Sequence, residues 1–233
     1  MHIVENKLLI IVAFLLSSRL TVEAQGTVSG VLGLEERTGA DRGDLRSAVV
    51  YLEPRDHVVS VVNDVPSMRS RVIAMHGREF VPHVAIVLAG GSVAFPNEDP
   101  FSHNVFSNVD LGPFDLGLYR RGATRAATFG RAGVYPIYCN IHSMMVSFVV
   151  AVPSPWSTQP DGTGHFLLRG VPAGRYTIHA WHEHGVREVT RDIVVPNAGL
   201  AALQLVIDAR THVDGPHLNK FGRPYALIRD DRY

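Results

Sequence analysis

Residues 135–150 read YPIYCNIHSMMVSFVV, two apolar runs joined by a loop that begins at the one cysteine of the sequence. An apolar strand runs into Cys139, the chain turns through Asn140 and Ile141 to His142, and Met145 precedes a second apolar strand. A strand, loop and strand of that length bring a thiol, an imidazole and a thioether to one point. The other half lies upstream in FPNEDPFSHNVFS, where His103 offers a second imidazole from a separate strand. Two nitrogens, one thiolate and one weak thioether suit copper in both its oxidation states. Imidazole tolerates Cu(II), thiolate favours Cu(I), and a long axial Met leaves a trigonal geometry nearly unchanged on reduction.

Working outward, the middle of the chain is a series of short apolar runs separated by turn residues: RVIAM, HVAIVL, SVAF, HNVF, FDLGLY, AATF, VYPIYC and SFVVAV. Many short strands at this spacing, with almost no helical periodicity, predict an all-β Greek-key sandwich over residues 55–153. A second β unit is expected at 154–210, from DGTGHFLLRG, VPAGRYTIHAWHEHG, VREVTRDIVVP and LAALQLVIDA. Its four strands alone make a thin sandwich. The runs TVSGVLGL and SAVVYLEP within residues 25–54 would complete it, or would join the middle block instead. Between Pro54 and Pro66, Val58 to Val62 is a candidate further strand, and residues 211–233, polar and without periodicity, are expected to run over the surface or fray.

A chain of 233 residues with 46% apolar content can bury one large or two small cores. Basic and acidic residues balance at 22 each, and after Lys7 the only lysine is Lys220, so no basic stripe points to nucleic acid. Residues 1–24 combine Lys7, an apolar run from Leu8 to Leu16 and a small-residue site at Val22-Glu23-Ala24, the pattern of a secretory signal peptide cleaved before Gln25. No later segment is apolar for long enough to be a transmembrane span. The mature chain is therefore expected in the periplasm or secreted, where a single cysteine is a liability unless a metal occupies it.

The segments FVPHVAIVLAGGSVAFPNEDPFSHNVFS, FDLGLYRRG and AGVYPIYCNIHSMMVSFVVAV together resemble the cupredoxins, the blue copper electron carriers. The resemblance is to plastocyanin-like and amicyanin-like proteins and to methylamine utilisation protein-like relatives, and it covers about Arg71 to Val152. It implies His103, Cys139 and His142 as equatorial copper ligands and Met145 as the axial one. It further implies that Asn104 holds the thiolate through its backbone N–H and ties the two ligand loops together. The neighbouring Met144 stands where relatives often carry an aromatic. The region DGTGHFLLRGVPAGRYTIHAWHE looks like a carboxypeptidase regulatory-like or transthyretin-like β module, a structural unit.

The remaining histidines are weaker candidates. His76 in a turn and His83 at a strand start lack spaced partners. In HAWHEH, strand alternation would put His182 and His184 on one face and His179 with Trp181 on the other, so at most two imidazoles converge on a second metal. Enzyme readings are disfavoured. Tyr138 and Asn140 stand where multicopper oxidases flank the ligand cysteine with histidine, and a purple binuclear site needs two cysteines in one loop. No nucleophile elbow or phosphate-cradling glycine loop occurs in a supporting context. The function expected is one-electron transfer between redox partner proteins with one copper ion. A copper carrier or store, or an envelope binding module, is the alternative.

Overall fold

The computed structural model describes residues 25–39, 42–55 and 65–225. The expected signal peptide at 1–24, the candidate strand at Val58 to Val62 and the last eight residues of the tail lie outside them. The described residues form β1 (Gln25–Glu35), β2 (Val49–Pro54), β3 (Ser70–Val72), β4 (Ala74–His76), β5 (Glu79–Val81), β6 (Val84–Leu88), β7 (Gly91–Pro96), β8 (His103–Ser107) and β9 (Phe114–Tyr119). They continue with β10 (Thr124–Phe129), β11 (Gly133–Cys139), β12 (Val146–Val152), β13 (Ser157–Thr158), β14 (His165–Pro172), β15 (Gly174–Trp181), β16 (Val189–Val195) and β17 (Leu200–Asp208). One α-helical turn, Pro66–Arg69, and one 3₁₀ turn, Leu45–Ser47, are the helical elements among the described residues. The protein is all-β. No helix among the described residues is long and apolar enough to cross a membrane.

Four sheets stack in layers. The outermost orders its strands β3, β7, β10; the next orders them β6, β12, β11, β8, β9. Their shared core holds Phe95, Phe129, Tyr135, Ile137, Val149 and Cys139. On the other side, the sheet β13, β2, β15, β16 faces the sheet β14, β1, β17 across a core of Leu32, Leu52, Trp156, Phe166, Ile178 and Ile207. Thus β1 and β2 pair with strands that follow them by more than a hundred residues.

A third cluster joins the two sandwiches. Val49 and Tyr51 on β2 meet Val84 and Leu88 on β6 and Val150 and Val152 on β12. This explains two runs without polar alternation. In VVYL, Val50 and Leu52 face one core while Val49 and Tyr51 face the joint; in β12, Val149 and Ala151 face one core while Val150 and Val152 face the joint. Strands buried on both faces read as continuous apolar sequence. Each fully buried side chain of this size contributes about 1.5–3 kcal/mol, so separating the halves would cost on the order of 10 kcal/mol.

Two local expectations differ. RVIAM, read as one strand, is two: β3 runs parallel to β7, and after Ile73 the chain leaves to form the β4–β5 hairpin. His76 ends β4, and the turn is Gly77-Arg78, both with positive φ. The strand through HAWHEH stops at Trp181, so alternation does not extend to His182 and His184.

Candidate metal centre

Register places the thiol beside the distant histidine. Cys139 on β11 pairs with Val105 on antiparallel β8. Directly opposed residues share a face, and so do residues two apart on a strand. His103, two before Val105, therefore lies on the face of Cys139. A slip of one residue would send it to the other side.

The loop after Cys139 is closed by its own backbone. Cys139 N–H donates to Met145 O (3.2 Å) and Met145 N–H donates to His142 O (3.0 Å), which folds His142 back over the end of β11. Asn140 N–H donates to Asn104 O (2.9 Å), joining this loop to β8. As a result Cys139 Sγ lies 3.5 Å from His103 Nδ1 and 3.5 Å from His142 Nδ1. The three donor atoms fall within 4.8 Å of one another. Met145 is buried in the same core cluster as Cys139, whereas Met144 is 65% exposed.

The donors are prepared for a cation. His103, fully buried, gives its Nε2–H to Asp99 Oδ2 at 2.8 Å, which turns the lone pair on Nδ1 toward the sulfur. Metal-binding histidines commonly hold their second nitrogen in this way. Burial, and then the neighbouring His103, pull His142 below the usual imidazole range, so its ring is neutral near pH 7. Burial pushes the Cys139 thiol up, while backbone N–H groups of Asn104, Ile141 and His142 pull in the opposite direction by donating to the sulfur. A first-row ion bound at roughly 2.0–2.1 Å from nitrogen and 2.3 Å from sulfur keeps those donors roughly 3.5–3.8 Å apart. The observed 3.5 Å separations accommodate one such ion.

The supporting residues are built around Asn97. Its side chain donates to Phe101 O (2.8 Å) and Tyr119 O (3.1 Å) and accepts from Asp99 N–H (2.9 Å), fixing the loop between β7 and β8. Asp99 also accepts from Gly77 N–H (2.6 Å) and Arg78 N–H (3.0 Å) in the β4–β5 turn. Phe101 covers both imidazoles, with its ring centre 5.2 Å from that of His103 and 5.6 Å from that of His142. The side chain of Asn104 donates to Asp115 Oδ1 at 2.6 Å.

Asp99 was not singled out from the sequence, although a carboxylate four residues before His103 is a visible signal. The tail was missed as well. Up to Tyr225 it does not fray but lies over the ligand loop. His217 N–H donates to Ser143 O (3.0 Å) and its Nε2–H to His142 O (3.2 Å). Lys220 N–H donates to Asn140 Oδ1 (2.9 Å), and the Tyr225 hydroxyl donates to Cys139 O (2.7 Å). His76 and His83 stand apart from the centre, His83 with its Nε2 2.6 Å from Glu183.

No protein-family model matches the chain, and neither does any curated protein. Solved structures do. A Cu-containing nitrite reductase (NirK) from Thermus scotoductus SA-01 is 26% identical over 36% of this chain and 22% of its own, with a TM-score of 0.33. An oxidised amicyanin variant is 20% identical over 36% of this chain and 82% of its own, with a TM-score of 0.34. A purple cupredoxin from Nitrosopumilus maritimus is 23% identical over 35% of this chain and 99% of its own, with a TM-score of 0.33. The chain thus spans about a fifth of the nitrite reductase, and each likeness is confined to about a third of this chain.

Proposed function

We propose that this chain is a cupredoxin in which His103, Cys139 and His142 would hold a type 1 copper ion, with Met145 as a weak fourth donor, and that it carries single electrons between partner proteins. The observation that supports this most directly is one buried thiol 3.5 Å from the Nδ1 atoms of two histidines on separate segments. When bound, copper supplies a one-electron couple. The chain's part is to keep the donors where both oxidation states accept them. Asp99 and the Asn97-locked loop hold the His103 ring, and the hydrogen-bonded turn from Cys139 to Met145 holds the other ligands. Donors that do not move on reduction leave little reorganisation to slow transfer.

His142 is half-buried beside exposed Ile141 and Met144, so this edge is the route by which an electron leaves toward a docked partner. Electron-transfer contacts are small and short-lived, and a modest apolar rim suffices. In this reading the protein works outside the cytoplasm, where the signal peptide at 1–24 would send it. It has no substrate chemistry of its own, and the second sandwich is a structural module of the carboxypeptidase regulatory-like or transthyretin-like kind.

The test is to purify residues 25–233, add Cu(II) and record the visible spectrum. A strong thiolate-to-copper absorption, lost in Cys139→Ser with the fold retained, is expected. A colourless protein containing stoichiometric copper would refute the reading. Repeated reduction and oxidation against a small redox protein, on the millisecond scale and without loss of copper, is expected of an electron carrier; transfer of the ion to an acceptor would point to copper delivery instead.

A further inference from the structure

Where the turn after β15 meets the tail beyond β17, a second group of donors comes together. His184 lies in the turn after β15, whereas His212 and Asp214 lie in the tail just beyond β17. One ligand atom from each falls within 4.8 Å of the others. The two imidazole rings stack, with centres 3.8 Å apart and planes 10° apart, and His212 Nε2 lies 2.9 Å from Asp214 Oδ1. Glu36 adds a second carboxylate, its Oε1 3.8 Å from His184 Nδ1.

The surroundings hold these residues in place. His182 uses both ring nitrogens: Nδ1 accepts from His184 N–H at 3.1 Å and Nε2–H donates to Asp44 O at 3.2 Å. It is a positioning residue for the turn that carries His184 and is not free to bind. Gly43 N–H donates to Glu36 Oε1 at 2.7 Å, and a Cβ at Gly43 would come within 2.9 Å of His184 Nδ1, so the backbone there forms one wall. The cleft has a volume of about 220 Å³ and is also lined by Arg37. That is room for an ion and several waters, each water occupying about 30 Å³.

We propose that His184, His212 and Asp214 form a second cation site, with Glu36 as an adjacent carboxylate, for a borderline divalent ion such as Zn²⁺ or Cu²⁺. Two imidazoles and a carboxylate are the donor set such ions take, with water completing the sphere. Calcium and magnesium prefer all-oxygen sets and are disfavoured. Binding requires the stacked rings to turn about their side-chain torsions, so that their lone pairs converge instead of lying in parallel planes. Tetrahedral donors at roughly 2.0–2.1 Å from the ion are about 3.3 Å apart, so the 2.9 Å His212–Asp214 pair opens slightly and the wider pairs, now within 4.8 Å, close by side-chain rotation. The site does not depend on copper at the first centre, since the two share no residue. It does fasten the root of the tail, whose next residues cross the ligand loop at His217, Lys220 and Tyr225.

The experiment is a titration of the full chain with ZnCl₂, followed by imidazole ¹⁵N resonances and by calorimetry. The expected result is that the His184 and His212 ring nitrogens shift together and saturate at one equivalent. His212→Ala and Asp214→Asn should then weaken that equivalent at least tenfold, while any zinc taken up at Cys139 is unchanged. Thermal unfolding of the metal-free variants reports whether they fold. The resonance shifts on the unmodified chain stand as a measurement that needs no variant. Imidazoles of His184 and His212 that do not respond to a tenfold excess of zinc, or an equivalent that persists unchanged in both variants, would overturn the proposal.

Discussion

Replacing Asp99 by Asn probes how the centre is held without touching any proposed ligand. Asp99 is 4% exposed and its two oxygens accept three N–H groups, from Gly77, Arg78 and His103. An Asn offers one oxygen. Its best orientation keeps that oxygen on His103 and Arg78 and turns the amide NH₂ toward Gly77 N–H, in an exposed turn where water can intervene. The geometry at His103 therefore survives and the negative charge does not. Loss of a residue that orients a metal ligand typically costs 10–100-fold in metal affinity, and a retained hydrogen bond places Asp99→Asn near the lower end, about tenfold. The missing anion disfavours the more highly charged oxidised form more than the reduced one. If the loss falls on Cu(II) alone, tenfold corresponds to an upward shift of about 59 mV in a one-electron potential. Asp99→Ala leaves a buried His103 N–H without a partner, which adds about 1–3 kcal/mol of destabilisation. The assays are spectroelectrochemical titration and competition for Cu(II) against a chelator. A potential within a few millivolts of the natural protein, together with unchanged affinity, would refute the idea that Asp99 sets the state of His103.

Two more perturbations address the elements that surround the centre. Glu183→Gln breaks the 2.6 Å pair with His83 that links the sandwiches. The hydrogen bond that His83 donates to Glu183 raises the His83 pKa, so its contribution is complete below the unfolded value and fades as pH rises through the folded one. Burial opposes ionisation of Glu183, but His83 outweighs it and its pKa is lowered, so its contribution is lost only as pH falls through the folded value. The variant should lose most stability between about pH 4.3 and 6.5, by no more than about 1 kcal/mol because His83 is 39% exposed. Denaturant unfolding across pH checks this, and a difference that grows at pH 9 would contradict it. Tyr225→Phe removes the 2.7 Å bond to Cys139 O from a hydroxyl whose pKa burial, followed by the nearby Cys139, pushes up to about 12. It should cost about 0.5–1.5 kcal/mol and hasten copper loss to a chelator, measured by decay of the visible band. An unchanged rate would mean that the tail does not brace the loop.

What was readable in advance follows the range of the interactions. The strands β7, β9, β11 and β12 stand where apolar runs predict them, because each contributes inward side chains at a two-residue period. RVIAM was misread as one strand because its break depends on which neighbour each half pairs with. In HAWHEH, alternation holds as far as Trp181, where pairing with β2 and β16 ends, and it is the following turn that sets the His182 and His184 rings 4.8 Å apart. His212, the second imidazole beside His184, lies in the tail, and no local pattern connects residues so far apart. The tail lacks periodicity, yet it is held by single hydrogen bonds from His217, Lys220 and Tyr225, which leave no repeating mark.

From residue order alone came the all-β character and the placement of Cys139, His142 and Met145 in one short loop, because both are properties of contiguous chain. Only the tertiary structure brought His103 to the face of Cys139, set Asp99 behind it, laid the tail across the loop and joined His184 to His212. Those are matters of register and of packing between distant segments. A shift of one residue along a strand, which no local signal records, would undo them.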